Sequence, residues 1–368
     1  MLLMQWHALV IFNLLAGMIL GSVLYRSDFC MAGMFRDAFL FKNYALLRSL
    51  ALAVVLSMVL FSLARLSGLI LFTTPPFFTP PSAATLAGGV VFGIGMVLAG
   101  GCVVSTLYRL AGGNVASMIA FIGMIAGSLL YAEVHPLWVP LKAGTVLIGA
   151  TMLSDITPTG ELLMTVLTVG ISAILFTRWL RQGKWNMTAY ADGYLQPWKA
   201  AVAIAVLNTA AYILSGWPMS ITTGYTKIGA YIEQLIAPAH AAGLLLFNQN
   251  SLSAVLSGSP ITGGAGPRVD IVFLTQIPLF IGIVVGAFLT AVALKEFRIY
   301  GLPPKRQLVS ALVGGILIGF GARMAAGCNL TFVLGAVPLF AFQGFLFVAA
   351  MVLGAYAGAR ILSRYVIR

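Results

Sequence analysis

The residues best placed to do chemistry are three cysteines, Cys30, Cys102 and Cys328. Two of them end a duplicated stretch: GGVVFGIGMVLAGGC runs to Cys102, and GGILIGFGARMAAGC runs to Cys328. Superimposing Gly88 on Gly314 also brings Gly89 onto Gly315, Gly93 onto Gly319, Gly95 onto Gly321, Gly101 onto Gly327 and Cys102 onto Cys328. An ordinary core position would more often carry Ala, Val or Leu. A thiol kept at the matched end of two interrupted apolar segments instead marks a transport path, because such paired interruptions build sites near the membrane midplane. Cys30 has no matching cysteine in the second half, so a small buried hydrophobe is an equally good reading of it alone.

An odd number of cysteines, no CxxC pair and no histidine at ligand spacing argue against a disulfide framework or a zinc site. Neutral thiols are weak hydrogen-bond donors, and weak contacts suit an ion that must also leave. Arg109, after Cys102, and Arg323, inside the second glycine segment, are charges near or within the membrane and are functional candidates on that ground. They either attract an anion or pair with a carboxylate such as Asp28 or Glu133. Asp28, Arg36 and Asp37 read as a local salt-bridged cap, and His7, His135 and His240 as isolated interfacial or polar-lined residues. Nothing resembles a nucleotide loop, a Ser-His-Asp set or a carboxylate pair. Neither an enzyme nor a cofactor is expected.

These residues must be held by membrane helices. With 60% hydrophobic and 8% charged residues over 368 positions, and a mean hydropathy of +1.01, the chain cannot supply the polar surface of a soluble globule. It reads as an all-α polytopic membrane protein. The net charge of +12 does not imply nucleic acid, since the basic residues flank apolar spans as the positive-inside bias requires. Residues 6–24, 46–72, 115–131, 137–152, 162–179, 200–214, 271–294 and 343–362 read as spans, giving about eight to nine crossings together with re-entrant half-helices. Residues 29–42 read as a short helix, with residues 215–227 as its partner through Gly33 and Gly224. Residues 228–247 read as a surface or re-entrant piece and 257–270 as a loop. The pairs Gly89/Gly93 and Gly315/Gly319 form GxxxG faces on which another helix can pack closely.

The polar connector 178–199 divides the chain into one repeat at about 1–135 and another at about 200–368, joined by 136–199. Five spans before Ala200 make the two repeats inverted. The basic segments 26–48, 178–199 and 295–306 then share the cytoplasmic face. Arg360, Arg364 and Arg368 join them only if the second glycine–cysteine element crosses completely.

The segments FCMAGMFRD (residues 29–37), GGC (100–102) and GARMAAGCN (321–329) resemble the motifs of the YeeE/YedE family of membrane proteins over nearly the whole chain. The resemblance implies an hourglass-shaped inner-membrane transporter whose best understood branch carries thiosulfate. It implies that Cys30, Cys102 and Cys328 line the constriction, and that a small soluble sulfurtransferase of the TusA type docks on the cytoplasmic side. Relatives carrying selenium or other sulfur species keep the substrate open. The rival readings are a soft-metal transporter, with Met31, Met96 and Met324 completing a Cu(I) path, and a membrane thiol-redox protein. The excess of positive charge counts against the first and the lack of CxxC against the second.

Overall fold

The structure, a computed structural model, describes residues 2–366 other than 71, 73, 158, 186–188, 190, 192, 257 and 258. Arg368 lies outside the described residues. In chain order the helices are α1 (Leu2–Ser27), α2 (Met31–Phe41), α3 (Ala45–Leu66), α4 (Ala83–Leu98), α5 (Val103–Ala111), α6 (Val115–Gly144), α7 (Gly160–Arg181), α8 (Pro197–Ser215), α9 (Thr222–Ile236), α10 (Pro238–Gly243), α11 (Leu245–Asn248), α12 (Ile271–Ala293), α13 (Lys305–Ala325), α14 (Asn329–Thr331) and α15 (Phe342–Tyr365). The short α14 runs on as a π-turn over Phe332–Ala336. Among the described residues nine stretches are long and apolar enough to cross a membrane, so the chain is an all-α polytopic membrane protein. The segment read as a loop at 257–270 instead contributes a strand, β2 (Ser259–Gly263), which pairs antiparallel with β1 (Leu252–Leu256).

Contacts between connecting segments show where each helix begins and ends. Ser82, before α4, bridges Val146, after α6, and Met152 bridges Ala341, before α15. These segments share one face. On the other, Leu195 N donates to Arg26 O at 2.7 Å, Arg48 Nη1 to Lys184 O at 2.7 Å and Tyr300 N to Gly113 O at 3.2 Å. The C-terminal half of α15 belongs to this second face too, because Tyr356 meets Phe39 of α2 with ring centroids 5.5 Å apart. Both glycine-rich helices, α4 and α13, therefore run from face to face. The expectation that left the terminal arginines stranded is resolved in favour of complete crossing: Arg360 and Arg364 join Arg26, Arg48, Lys184 and Arg298 on the second face.

One expected span is absent. Residues 137–152 do not cross separately, because α6 continues as one helix through Pro136 and Pro140. Each proline removes one backbone donor, yet the helix runs on, and the buried His135 beside Pro136 is partnered. His135 contacts Tyr131 Oη at 3.2 Å and Gln249 Oε1 at 2.9 Å. The count of five crossings before α8 still holds, with α4 taking the place of 137–152.

Packing follows the glycines. Helix α4 lies on α15 and on α13, α13 lies on α6, α1 on α12 and α3 on α8. Exchanging α1 with α8, α3 with α12, α4 with α13 and α6 with α15 leaves this set of partners unchanged. The GxxxG faces behave as expected: a Cβ on Gly89 would meet Ala350 Cβ at 2.8 Å, and one on Gly319 would meet Ser128 N at 3.0 Å. In a bilayer, where burial of apolar surface does not drive helices together, such close backbone approach supplies the association energy. Helix α7 falls outside this scheme. It packs mainly on α3, and its Leu163, Val166, Leu167, Ile171 and Ile174 are exposed, as lipid-facing residues would be.

Candidate functional site

Four short helices turn back into the protein, two from each face, and each begins deep inside it. Cys30 is the N-cap of α2, Cys102 of α5, Ile221 of α9 and Cys328 of α14. The approach to each cysteine is alike: a left-handed residue two positions earlier (Asp28, φ 43°; Gly100, φ 70°; Ala326, φ 63°) reverses the chain. The N-cap itself is extended, with φ of −113°, −91° and −123°. At Asp28 and Ala326 the reversal is made without glycine, which carries a steric cost.

Each N-cap carries sulfur where Ser or Thr would carry oxygen: at Cys30 it accepts a backbone N–H, and at Cys102 and Cys328 it meets the hydroxyl three residues on. Cys30 Sγ accepts from Gly33 N at 3.4 Å. At Cys102, Ser105 Oγ accepts from the cysteine N–H at 2.6 Å and donates to Sγ at 3.4 Å. Cys328 Sγ lies 3.7 Å from Thr331 Oγ1, which in turn meets Ser220 Oγ at 3.2 Å. Gly101 and Gly327 make room for these turns: a Cβ on Gly101 would meet Ser105 Oγ at 2.9 Å, and one on Gly327 would meet the Phe332 ring at 2.8 Å.

The four N-termini converge. Cys102 lies within electrostatic range of both Cys30 and Cys328 and beside the Asn329 side chain. Tyr225 Oη, on α9, donates to Val103 O of α5 at 2.7 Å. All three cysteines are buried, at 1%, 4% and 0% exposure, and none is in a disulfide. A narrow cavity with room for about one water molecule reaches Cys102 between Leu24, Phe29, Met31, Ile204 and Asn329. A second, lined by Ser128, Thr222 and Tyr225, lies between α6, α9 and α13. Each helix N-terminus presents unpaired N–H groups and a partial positive charge, so the meeting point favours an anion. Of the methionines weighed for a metal path, Met31 shares the Cys102 cavity, whereas Met324 packs with Tyr131 and Phe247.

The two arginines differ. Arg109 is tied down: Nη2 meets Asp28 Oδ1 at 3.0 Å, and Nη1 donates to Gly100 O at 2.6 Å. Asp28 thus bonds Arg109 and Tyr108 Oη, while the cap expected from it is made by Arg36 and Asp37 alone, at 2.9 Å. Arg323 has no carboxylate partner among the described residues. Its Nη2 donates to Thr222 Oγ1 at 3.2 Å and Thr223 Oγ1 at 3.3 Å, and its buried Nε is unpaired. His240 stands apart from the cysteines, between Glu233 (2.6 Å) and Glu133 (3.5 Å). Sequence reasoning missed Ser105, Thr331 and Asn329. The signal for the first two was present as Cys-x-x-Ser and Cys-x-x-Thr, a capping pattern.

A polytopic helical membrane protein whose buried helix N-termini meet around thiols has the build of a transporter. The chain belongs to the sulphur-transport family, whose model matches residues 26–357. It is 30% identical over 374 residues to the thiosulfate transporter TsuA of Spirochaeta thermophila, covering 96% of this chain and 98% of that one. It is 27% identical over 365 residues to the thiosulfate transporter TsuA of Escherichia coli K12, covering 96% and 94%. The probable transporter YedE of the same organism is 29% identical over 172 residues, or 47% of this chain and 39% of its own length.

Proposed function

We propose that the chain takes thiosulfate up across the inner membrane into the cytoplasm, passing it along the neutral thiols of Cys328, Cys102 and Cys30. The observation that carries this reading is the convergence of four helix N-termini, three of them capped by cysteine. The dipoles hold the negative charge of the ion, and the thiols face its soft terminal sulfur through weak S–H contacts. Thiolates would repel a dianion, so the step is non-covalent and leaves the cysteines unchanged. No carboxylate lines either cavity, so no fixed negative charge there opposes an anion.

The exchange of packing partners described above supports two inverted repeats, at about 1–135 and 200–368, with 136–199 and its lipid-facing α7 as the inverting link. The basic face is then cytoplasmic. Arg323 stands toward the opposite face and receives the ion; Gly101 and Gly327 let the cysteine turns form. Arg109, neutralised by Asp28, braces the exit side. A cytoplasmic sulfurtransferase of the TusA type would collect the product at the basic loops, as the likeness to thiosulfate transporters suggests. The test is uptake into proteoliposomes of thiosulfate labelled separately in each sulfur, with no reductant or metal added. Both labels should enter together. Entry of one label alone would favour sulfur relay, and no entry would refute the reading.

A further inference from the structure

Asn329 was not among the residues that composition or duplication singled out, yet it is the most unusual polar group at the convergence point. It is fully buried, at 0% exposure. Its Oδ1 accepts from Leu330 N at 3.1 Å. A backbone N–H can donate only to the oxygen, so this bond fixes which end of the amide is which. The free end is Nδ2, which makes no hydrogen bond of good geometry among the described residues and has only the weak acceptor Cys102 Sγ beside it. The side chain lies beside the Cys102 sulfur, and both residues line the same cavity, with Phe29, Met31, Leu330 and Leu334 supplying apolar walls. Burying an amide donor without an acceptor is unfavourable, and such groups in native proteins call for an explanation. The protein keeps one in the cavity where an anion is to pass.

We propose that Asn329 Nδ2 is a binding donor for the oxyanion end of the transported species, with the Cys102 thiol facing the soft sulfur end. The assignment rests on the transport reading above and deepens it. Thiosulfate has two chemically different ends. An amide N–H matches a charged oxygen, forming the stronger charge-assisted bond, while a thiol matches the larger, softer sulfur. Side by side in one cavity, the pair reads the ion's orientation and distinguishes it from hydrosulfide, which has no oxygens.

The experiment compares wild type with Asn329→Leu and Asn329→Asp in thiosulfate uptake, and measures thermal unfolding of each purified protein with and without sodium thiosulfate. Asn329→Leu removes the unpaired buried donor together with the bond from Leu330 N to Oδ1, two opposed effects on stability. Without ligand it should therefore unfold near the wild-type temperature, while KM rises about tenfold or more and stabilisation by thiosulfate disappears. Asn329→Asp can keep the bond to Leu330 N but replaces the donor with an acceptor, and should also lose the thiosulfate response. A folded variant of either kind with wild-type KM and wild-type stabilisation overturns the assignment and leaves thiosulfate transport standing. A destabilised Asn329→Leu with Asn329→Asp unimpaired assigns a structural role instead and also overturns it. Absence of uptake by the wild type would overturn both readings.

Discussion

Gly88 and Gly321 face each other across the α4–α13 crossing: a Cβ on Gly88 would meet Gly321 O at 2.8 Å, and a Cβ on Gly321 would meet Gly88 O at 2.8 Å. Gly95 repeats the contact with Gly314 O at 2.8 Å. Each of these two helices leads into a cysteine turn, so their backbone contact sets the distance between Cys102 and Cys328. The duplicated glycines are thus spent on two faces of each helix, one toward the other copy and one toward α15 or α6.

Substituting at that crossing should therefore disturb transport through geometry. Gly321→Leu would push its side chain into Phe92 N and the Gly88 carbonyl, with no flexible neighbour to yield. Overpacking of this kind costs about 1–3 kcal/mol or more. Expression and thermal stability in detergent should fall together with uptake. Gly149→Leu, at a position with no neighbour within 4 Å, should leave all three unchanged.

The topology carries its own test. Single cysteines at Gln182, Lys305 and Arg364 should be protected from a membrane-impermeant thiol reagent in intact cells, because the connector, the α12–α13 link and the C-terminal end lie on one face with the basic residues. A cysteine at Gly149, on the face that Ser82 and Val146 define, should be labelled. Labelling of Gln182→Cys from outside would reverse the orientation.

The arginines predict unequal phenotypes. Arg323→Gln removes a cation whose hydrogen bonds among the described residues go to two threonine hydroxyls, and should raise the KM for thiosulfate about tenfold with little effect on expression. Because a guanidinium stays charged at all physiological pH, this capture should be flat between about pH 6 and pH 8. Arg109→Gln breaks the bonds to Asp28 and Gly100 O. Its main effect should be on expression and thermal stability.

Much of the architecture was legible because glycine spacing and hydropathy are strong signals in a membrane chain. The duplication ending at Cys102 and Cys328 pointed to the candidate site, and the short helix read at 29–42 formed as α2; of its partner read at 215–227 only residues 222–227 are helical, and they run on as α9 to Ile236 through the start of the piece read separately at 228–247. Other signals of the same kind were present but unread: Gly17 of α1 and Gly282 of α12 approach so closely that a Cβ on Gly282 would meet Gly17 Cα at 2.9 Å. The spans read at 115–131 and 137–152 are one helix to Gly144 with Pro136 and Pro140 inside it, since proline is tolerated in a membrane helix whose freed groups find other partners. The reversals at Asp28 and Ala326 left no mark in residue type, because neither is glycine. The unpaired amide of Asn329 could not be foreseen, because whether a donor is satisfied depends on which elements meet in space.

Docking of a soluble sulfurtransferase should be electrostatic. If an acidic partner binds the basic face, its affinity should fall steeply as salt rises from about 50 to 200 mM, over which screening shortens markedly. Lys305→Glu together with Arg181→Glu should weaken it further while uptake into partner-free proteoliposomes continues. Salt-independent binding would place the partner elsewhere.

The thiol path is tested most directly by uptake of labelled thiosulfate by Cys30→Ala, Cys102→Ala and Cys328→Ala at matched membrane levels, with sulfur-limited growth as the second readout. Each thiol contact contributes about 0.5–1 kcal/mol. Losing one contact alone should slow passage several-fold, and losing the N-cap turn with it should slow passage more. Cys102 and Cys328 close the duplicated elements, and the account predicts that replacing either one depresses uptake severalfold or more and impairs growth on thiosulfate. Wild-type uptake and full growth by both Cys102→Ala and Cys328→Ala would contradict it.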